Sequence, residues 1–265
     1  MNFVSFASGS SGNCCLVTEG RTAVLIDAGI SLRRIKAGLA RRALTPDDLS
    51  AVLITHGHSD HTAGLAMLLK NHKKVKVYAS QTVAHALERA AADIEGRIVP
   101  IPVGESVVLK NFTLTAFPTV HDTPGSVGYV LSGKDARFGF CTDTGCVTGE
   151  MLDALAGCDA AVIEANHDID MLRGGRYPIH LKRRILSERG HLSNEDCAQL
   201  ACALAKTGVQ TFVLGHLSRE NNCPALAERA VREALDGEGF SAVTLRVAPA
   251  EGDLELEVTP CCASN

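Results

Sequence analysis

Within the stretch Thr55-His56-Gly57-His58-Ser59-Asp60-His61, three imidazoles and a carboxylate can reach one point in space. An apolar run, 51–54, precedes it and a helical pattern begins near Thr62, so these groups sit where a strand becomes a helix. A rigid strand end fixes the first imidazoles, and the turn brings the next two groups back toward them. His121 ends the strand-like run 112–120 and is followed by the turn residues Asp122-Thr123-Pro124-Gly125. Asp143 follows the run 138–142, and His216 follows 211–215, again at strand ends. A carboxylate suits a bridging position between two cations, because it offers two oxygens and a charge that offsets their repulsion. The expected ligands are therefore His56, His58, Asp60, His61, His121, Asp143 and His216. His72, His85, His167 and His180 lie in no such pattern and read as core or surface imidazoles.

Imidazole and carboxylate suit Zn²⁺, Mn²⁺ and Fe²⁺ alike, so the chemistry expected is that of two divalent metal ions of open identity, Zn²⁺ or Mn²⁺ first. Two such ions about 3.5–4 Å apart would make a water nucleophilic near neutral pH and stabilise the oxygens of a phosphodiester under attack. Asp60 could orient that nucleophile as well as bind metal.

The elements that must position these groups alternate along the chain. Strand patterns cover 2–7, 14–18, 22–28, 51–55, 75–79 and 112–117, with helical patterns at 31–42, 61–71 and 80–92. A second half repeats the scheme, with strands at 128–132, 137–142, 160–164, 211–215 and 242–248. Its helices fall near 148–155, 182–189, 194–207 and 224–235. Two strand-then-helix halves bury their apolar faces most simply as two packed sheets with helices outside, a four-layer αββα sandwich of the α/β class. At 265 residues and 46% hydrophobic composition, the expectation is a single domain over 1–265.

A net charge of -4 gives no global attraction to nucleic acid, so any polyanion must meet a local basic patch. Ten cysteines would suggest a disulfide framework in a small secreted domain, but no leader pattern precedes the strand-like run 3–6. They are expected to be reduced, in a cytoplasmic chain, with Cys261 and Cys262 in a frayed tail. With no long apolar span, no membrane role is expected.

The ordered set HxHxDH, a later His, an Asp after a strand and a final His resembles the metallo-β-lactamase-fold hydrolases, over almost the whole chain. The resemblance implies an αββα sandwich, one metal on His56, His58 and His121, a second on Asp60, His61 and His216, and Asp143 bridging both. Three further stretches look like the YycJ/WalJ group, which is associated with DNA exonuclease activity. They are Ser8-Gly9-Ser10-Ser11-Gly12-Asn13-Cys14, Gly190-His191-Leu192-Ser193-Asn194 and His216-Leu217-Ser218-Arg219-Glu220-Asn221-Asn222. About seventy residues separate Asp143 from His216, too few for the inserted domain of the β-CASP nucleases. Too little chain follows His216 for the helical domain of glyoxalase II.

The catalytic residues implied are Asp60, Glu164 and His191. A Glu–His pair resembles the proton-donating pair of tRNA-processing relatives, and Glu164 ends an apolar strand, where a carboxylate is costly unless paired. Arg173, Arg176, Lys182, Arg183, Arg184 and Arg189 crowd the segment before His191 against the single acid Glu188, a strip suited to a phosphate backbone. Residues 8–13 offer hydroxyls, an amide and backbone N–H groups for a phosphate, without the Gly-Lys-Ser/Thr ending of a Walker loop. Substrate contacts are expected from Ser10, Asn13, Arg183, Arg184, Ser193, Asn194, Ser218, Asn221 and Asn222, the last two fitting a helix cap equally well. The function expected is a metal-dependent 5′→3′ DNA exonuclease. Its rivals are a thioester or lactone hydrolase of the same fold, and a non-catalytic metal-binding regulatory module.

Overall fold

The computed structural model describes residues 1–90 and 96–260. β1 (Asn2–Ala7), β2 (Cys14–Glu19) and β3 (Thr22–Ile26) form an antiparallel meander. β4 (Leu49–Ile54), β5 (Val77–Ser80) and β6 (Ile98–Ile101) then add in parallel register. Parallel neighbours require crossovers. Here α1 (Leu32–Ala40), the pair α2 (Ser59–Thr62) and α3 (Leu65–Asn71), and α4 (Gln81–Ala90) supply them.

The second half repeats the plan. β7 (Ser106–Leu109), β8 (Phe112–Pro118), β9 (Val127–Ser132) and β10 (Arg137–Cys141) run antiparallel. β11 (Ala160–Glu164), β12 (Thr211–Gly215) and β13 (Thr244–Val247) follow in parallel. The helices between and around them are α5 (Gly149–Leu155), α6 (Ile169–Gly174), α7 (Ile179–Ile185), α8 (Asn194–Ala205) and α9 (Pro224–Gly237). β14 (Leu254–Glu257) returns to pair with β1, giving the sheet orders β14-β1-β2-β3-β4-β5-β6 and β13-β12-β11-β10-β9-β8-β7.

Period-two alternation sorts the core into layers. Val24 and Ile26 of β3 meet Tyr129, Phe138 and Val162 between the sheets. Ala23 and Leu25 face the other way, onto Ile35, Leu39 and Leu68 of the first helical layer. In the second sheet Ala161, Ile163, Phe212 and Leu214 pack against Leu200, Leu204 and Val231. The result is helix, sheet, sheet, helix, the four-layer arrangement expected.

Three strands escaped the sequence pattern: β6, β7 and β14, each of four residues and each at a sheet edge. Edge strands are short and half-solvated, so their alternation is weak. α6 was likewise unforeseen, and the helix expected at 182–189 runs instead over Ile179–Ile185, directly after Pro178. The helix expected at 61–71 is split, because Gly64 presses on the loop after β3. Its N–H donates to Ala28 O at 2.8 Å, and a Cβ would stand 2.0 Å from Ile30 O. Ala91 and Ala92 of the third expected helix, and Cys261 and Cys262, lie outside the described residues. Cys14, Cys15, Cys141, Cys146, Cys158, Cys197, Cys202 and Cys223 are free thiols, buried or half-buried. Among the described residues no helix is long and apolar enough to cross a membrane.

Candidate active site

The carboxyl ends of β3, β4, β10, β11 and β12 converge, and the loops beyond them carry the polar centre, as the geometry of parallel sheets favours. All seven residues singled out as ligands meet there. Ligand atoms of His56, His58 and His121 lie within 4.8 Å of one another, and so do those of Asp60, His61 and His216. Asp143 stands between the triads: its Oδ2 is 3.3 Å from His61 Nε2, and its Oδ1 is 3.6 Å from His216 Nε2 and 3.8 Å from His121 Nε2.

Each imidazole is oriented by what stands behind it, which decides which nitrogen faces the centre. His61 Nδ1 donates to Asp27 Oδ2 at 2.7 Å, and Asp27 is itself fixed by Thr55, whose N–H reaches Oδ1 at 2.9 Å. His216 Nδ1 donates to Glu164 Oε1 at 2.8 Å. The Asn166 amide holds the His216 carbonyl at 2.9 Å. His121 Nδ1 donates to Gly190 O at 3.0 Å. His58 is reversed: its Nε2 lies 2.7 Å from Thr123 Oγ1, so its Nδ1 turns inward, 3.4 Å from His121 Nε2. Asp27, Asp143 and His216 all adopt left-handed backbone, φ 59°, 59° and 58°. That conformation turns the chain sharply at the end of β3, β10 and β12 and aims the side chain inward.

Glu164 is fully buried and serves two histidines with one oxygen, since Oε1 also accepts from His191 Nδ1 at 2.8 Å. Its Oε2 accepts the N–H groups of Thr144 and Leu192 at 3.1 and 3.3 Å. The pair expected between Glu164 and His191 is thus formed, and the same carboxylate also positions His216. His191 keeps 18% of its side chain exposed and turns Nε2 away from Glu164.

Burial pushes the His56 imidazolium down to about 2, leaving a neutral ring. Burial also opposes charge on His61, but Asp143 and Asp27 outweigh it and hold that ring up to about 10. Burial would raise Asp143, yet His216, His61 and His56 keep it well below the usual carboxylate range. Glu164 is likewise held down to about 2 by His191 and His216 against its burial. Buried carboxylates here draw positive charge, which divalent cations can supply as protons do. His56 Nε2, His216 Nε2 and Asp143 Oδ2 are buried without a hydrogen-bond partner among the described residues. Such orphaned atoms cost about 1–3 kcal/mol each unless something binds them. Three around one centre, in a set of imidazoles and carboxylates, fit divalent metals.

Sequence reasoning missed Asp27, Thr55 and Asn166. The signal for Asp27 was present: an Asp closing a buried strand ahead of a glycine turn, as Asp143 does. The expected substrate contacts divide by exposure. Ser10 and Arg183 are exposed, and Arg184 forms an ion pair with Asp122 beside His58. The others turn inward. Asn194 and Asn222 bond each other through their side-chain amides, and Ser193 caps α8 in a reciprocal box with Asp196. Ser218 Oγ accepts the Asn221 N–H, and the Asn13 amide faces Asp60 and His61.

Residues 22–217 match the beta-lactamase superfamily domain. The chain is 34% identical over 242 residues to exodeoxyribonuclease YycJ of Bacillus anthracis, covering 91% of each chain. It is 36% identical over 233 residues to exodeoxyribonuclease WalJ of Streptococcus pneumoniae, covering 86% of each. The metallo-beta-lactamase fold protein YhfI of Bacillus subtilis superposes with a TM-score of 0.75 over 96% of this chain and 99% of that one, at 15% identity.

Proposed function

The chain belongs to the beta-lactamase superfamily as a metal-dependent hydrolase of the metallo-β-lactamase fold, and from that premise we propose that it cleaves phosphodiester bonds in nucleic acid, as a cytoplasmic 5′→3′ DNA exonuclease. One ion would be held by His56, His58 and His121, a second by Asp60, His61 and His216, with Asp143 available to both. Bound there, two ions such as Zn²⁺ or Mn²⁺ supply an activated water and neutralise charge on the phosphoryl oxygens.

The observation that carries the reading is His191, tethered through Nδ1 to Glu164 with that nitrogen 3.7 Å from Asp143 Oδ1, while among the described residues Nε2 makes no hydrogen bond. An alkoxide leaves a phosphodiester poorly unless it is protonated, whereas a thiolate leaves a thioester without help. A positioned imidazole able to hand on a proton is therefore useful here and superfluous for thioesters. Glu164 holds the Nδ1 edge of the ring, which leaves Nε2 as the nitrogen through which a proton would be delivered. Asp60 helps orient the attacking water, and Arg183, Arg184 and Ser10 are the exposed candidates to meet the phosphate backbone.

The test is cleavage of end-labelled, 5′-phosphorylated duplex DNA with Mn²⁺ or Zn²⁺, wild type against Asp60→Ala. Stepwise shortening from the 5′ end, lost in the variant, is the expected result. No cleavage by fully metallated protein would overturn the DNA reading and turn attention to RNA, then to thioesters and lactones.

A further inference from the structure

The loop 8–13 leaves β1 in the first sheet and touches ligands from both halves of the molecule. Ser8 Oγ accepts the backbone N–H of His216 at 2.8 Å, where the chain turns left-handed at the end of β12. Asn13 N–H donates to Asp60 O at 2.7 Å, and Asn13 O accepts from Gly29 N at 2.8 Å. Its Oδ1 accepts the Gly9 N–H at 2.8 Å, which fixes the orientation of the amide. Nδ2 therefore faces the centre, 3.5 Å from Asp60 Oδ2 and 3.0 Å from His61 Nε2. Gly9 and Gly12 make the tight turn possible at φ 146° and 145°; a Cβ on Gly12 would stand 2.8 Å from Gly29 O. Ser8 and Asn13 are buried, and the hydroxyl groups left in solvent on this loop belong to Ser10 and Ser11.

The loop's contacts with candidate ligand residues all fall on one triad. Asp60, His61 and His216 each take a contact from Ser8 or Asn13; among the described residues His56, His58 and His121 take none. We propose that Ser8 and Asn13 are positioning residues that clasp the second cation triad, joining its Asp60–His61 half to its His216 half. The inference rests on the two-ion reading above. Since the loop spans the seam between sheets, loss of either contact frees one half of the triad to move against the other.

Co²⁺ titration of the full chain, followed by its visible absorption and by competition with a chelator, tests this. Wild type should take up two ions in two steps. Ser8→Ala and Asn13→Ala should weaken one step 10–100-fold and change its absorption band, leaving the other step as in wild type. Asp60→Ala should lose that same step, which identifies it, and Ser11→Ala on the solvent side of the loop should alter neither. If both steps weaken equally, or neither moves, the clasp is overturned. Uptake of a single ion by wild type would refute the two-ion reading alone, and the clasp would then stand or fall on whether Ser8→Ala weakens that ion. Should Asn13→Ala fail to fold, Ser8→Ala, which removes one hydroxyl, decides.

Discussion

The two candidate cation triads are built from different materials. His56, His58 and His121 are three imidazoles, two of them buried, and the triad reaches the rim through His58, whose side chain is 36% exposed and held by Thr123 and the half-buried Asp122. Asp60, His61 and His216 form the inner triad, with one half-buried carboxylate among them and two more, Asp27 and Glu164, fully buried behind its histidines. The rim triad would meet a cation with imidazoles alone; the inner one would meet it with fixed negative charge in a low dielectric. The difference teaches that position and charge can be divided between two sites a few ångströms apart. The inner ion should be retained and the rim ion exchanged more readily.

The largest expected break in that asymmetry is Glu164→Gln. An amide cannot accept from His191 and His216 at one atom while also accepting the Thr144 and Leu192 N–H groups at the other. Turnover should fall about 10²–10⁴-fold as the proton donor is lost, and chelator competition should show the inner ion held more weakly. A variant with wild-type kcat would refute the tether. Asp27→Asn comes next: it removes the charge behind His61, and inner-ion affinity should drop 10–100-fold while the rim ion is unaffected. Equal loss at both triads, seen by metal competition, would erase the distinction. Thr123→Val is the mildest. It deletes one neutral hydrogen bond to His58, worth ~1 kcal/mol, so the rim ion should exchange faster in a stopped-flow chelation assay while the inner ion keeps its rate.

Legibility in the sequence followed the same division. Each candidate ligand was readable because an imidazole or carboxylate at a strand end is a local pattern. The near-continuous apolar runs of β3, β4, β11 and β12, buried on both faces, likewise announced the layers. What stands behind the ligands was not readable, because it depends on pairing. Asp27 reaches His61 only because β3 lies parallel to β4, and Glu164 reaches His216 only because β11 lies beside β12. The His191–Glu164 pair came from resemblance and is matched by a 2.8 Å contact. Asn194, Ser193 and Asn222 sit in motifs that look like binding loops, yet their bonds are internal, since buried polar side chains satisfy one another.

Asp27, Asp143 and His216 hold a backbone conformation that costs a non-glycine residue on the order of 1–3 kcal/mol. A chain selected for durability alone would place glycine at those corners. Keeping Asp and His there trades robustness for chemistry, so heat tolerance in this molecule is limited partly by the same bends that make it an enzyme. Efforts to harden it should begin at the sheet edges β6, β7 and β14, far in sequence from those corners, where added stability asks nothing of the centre.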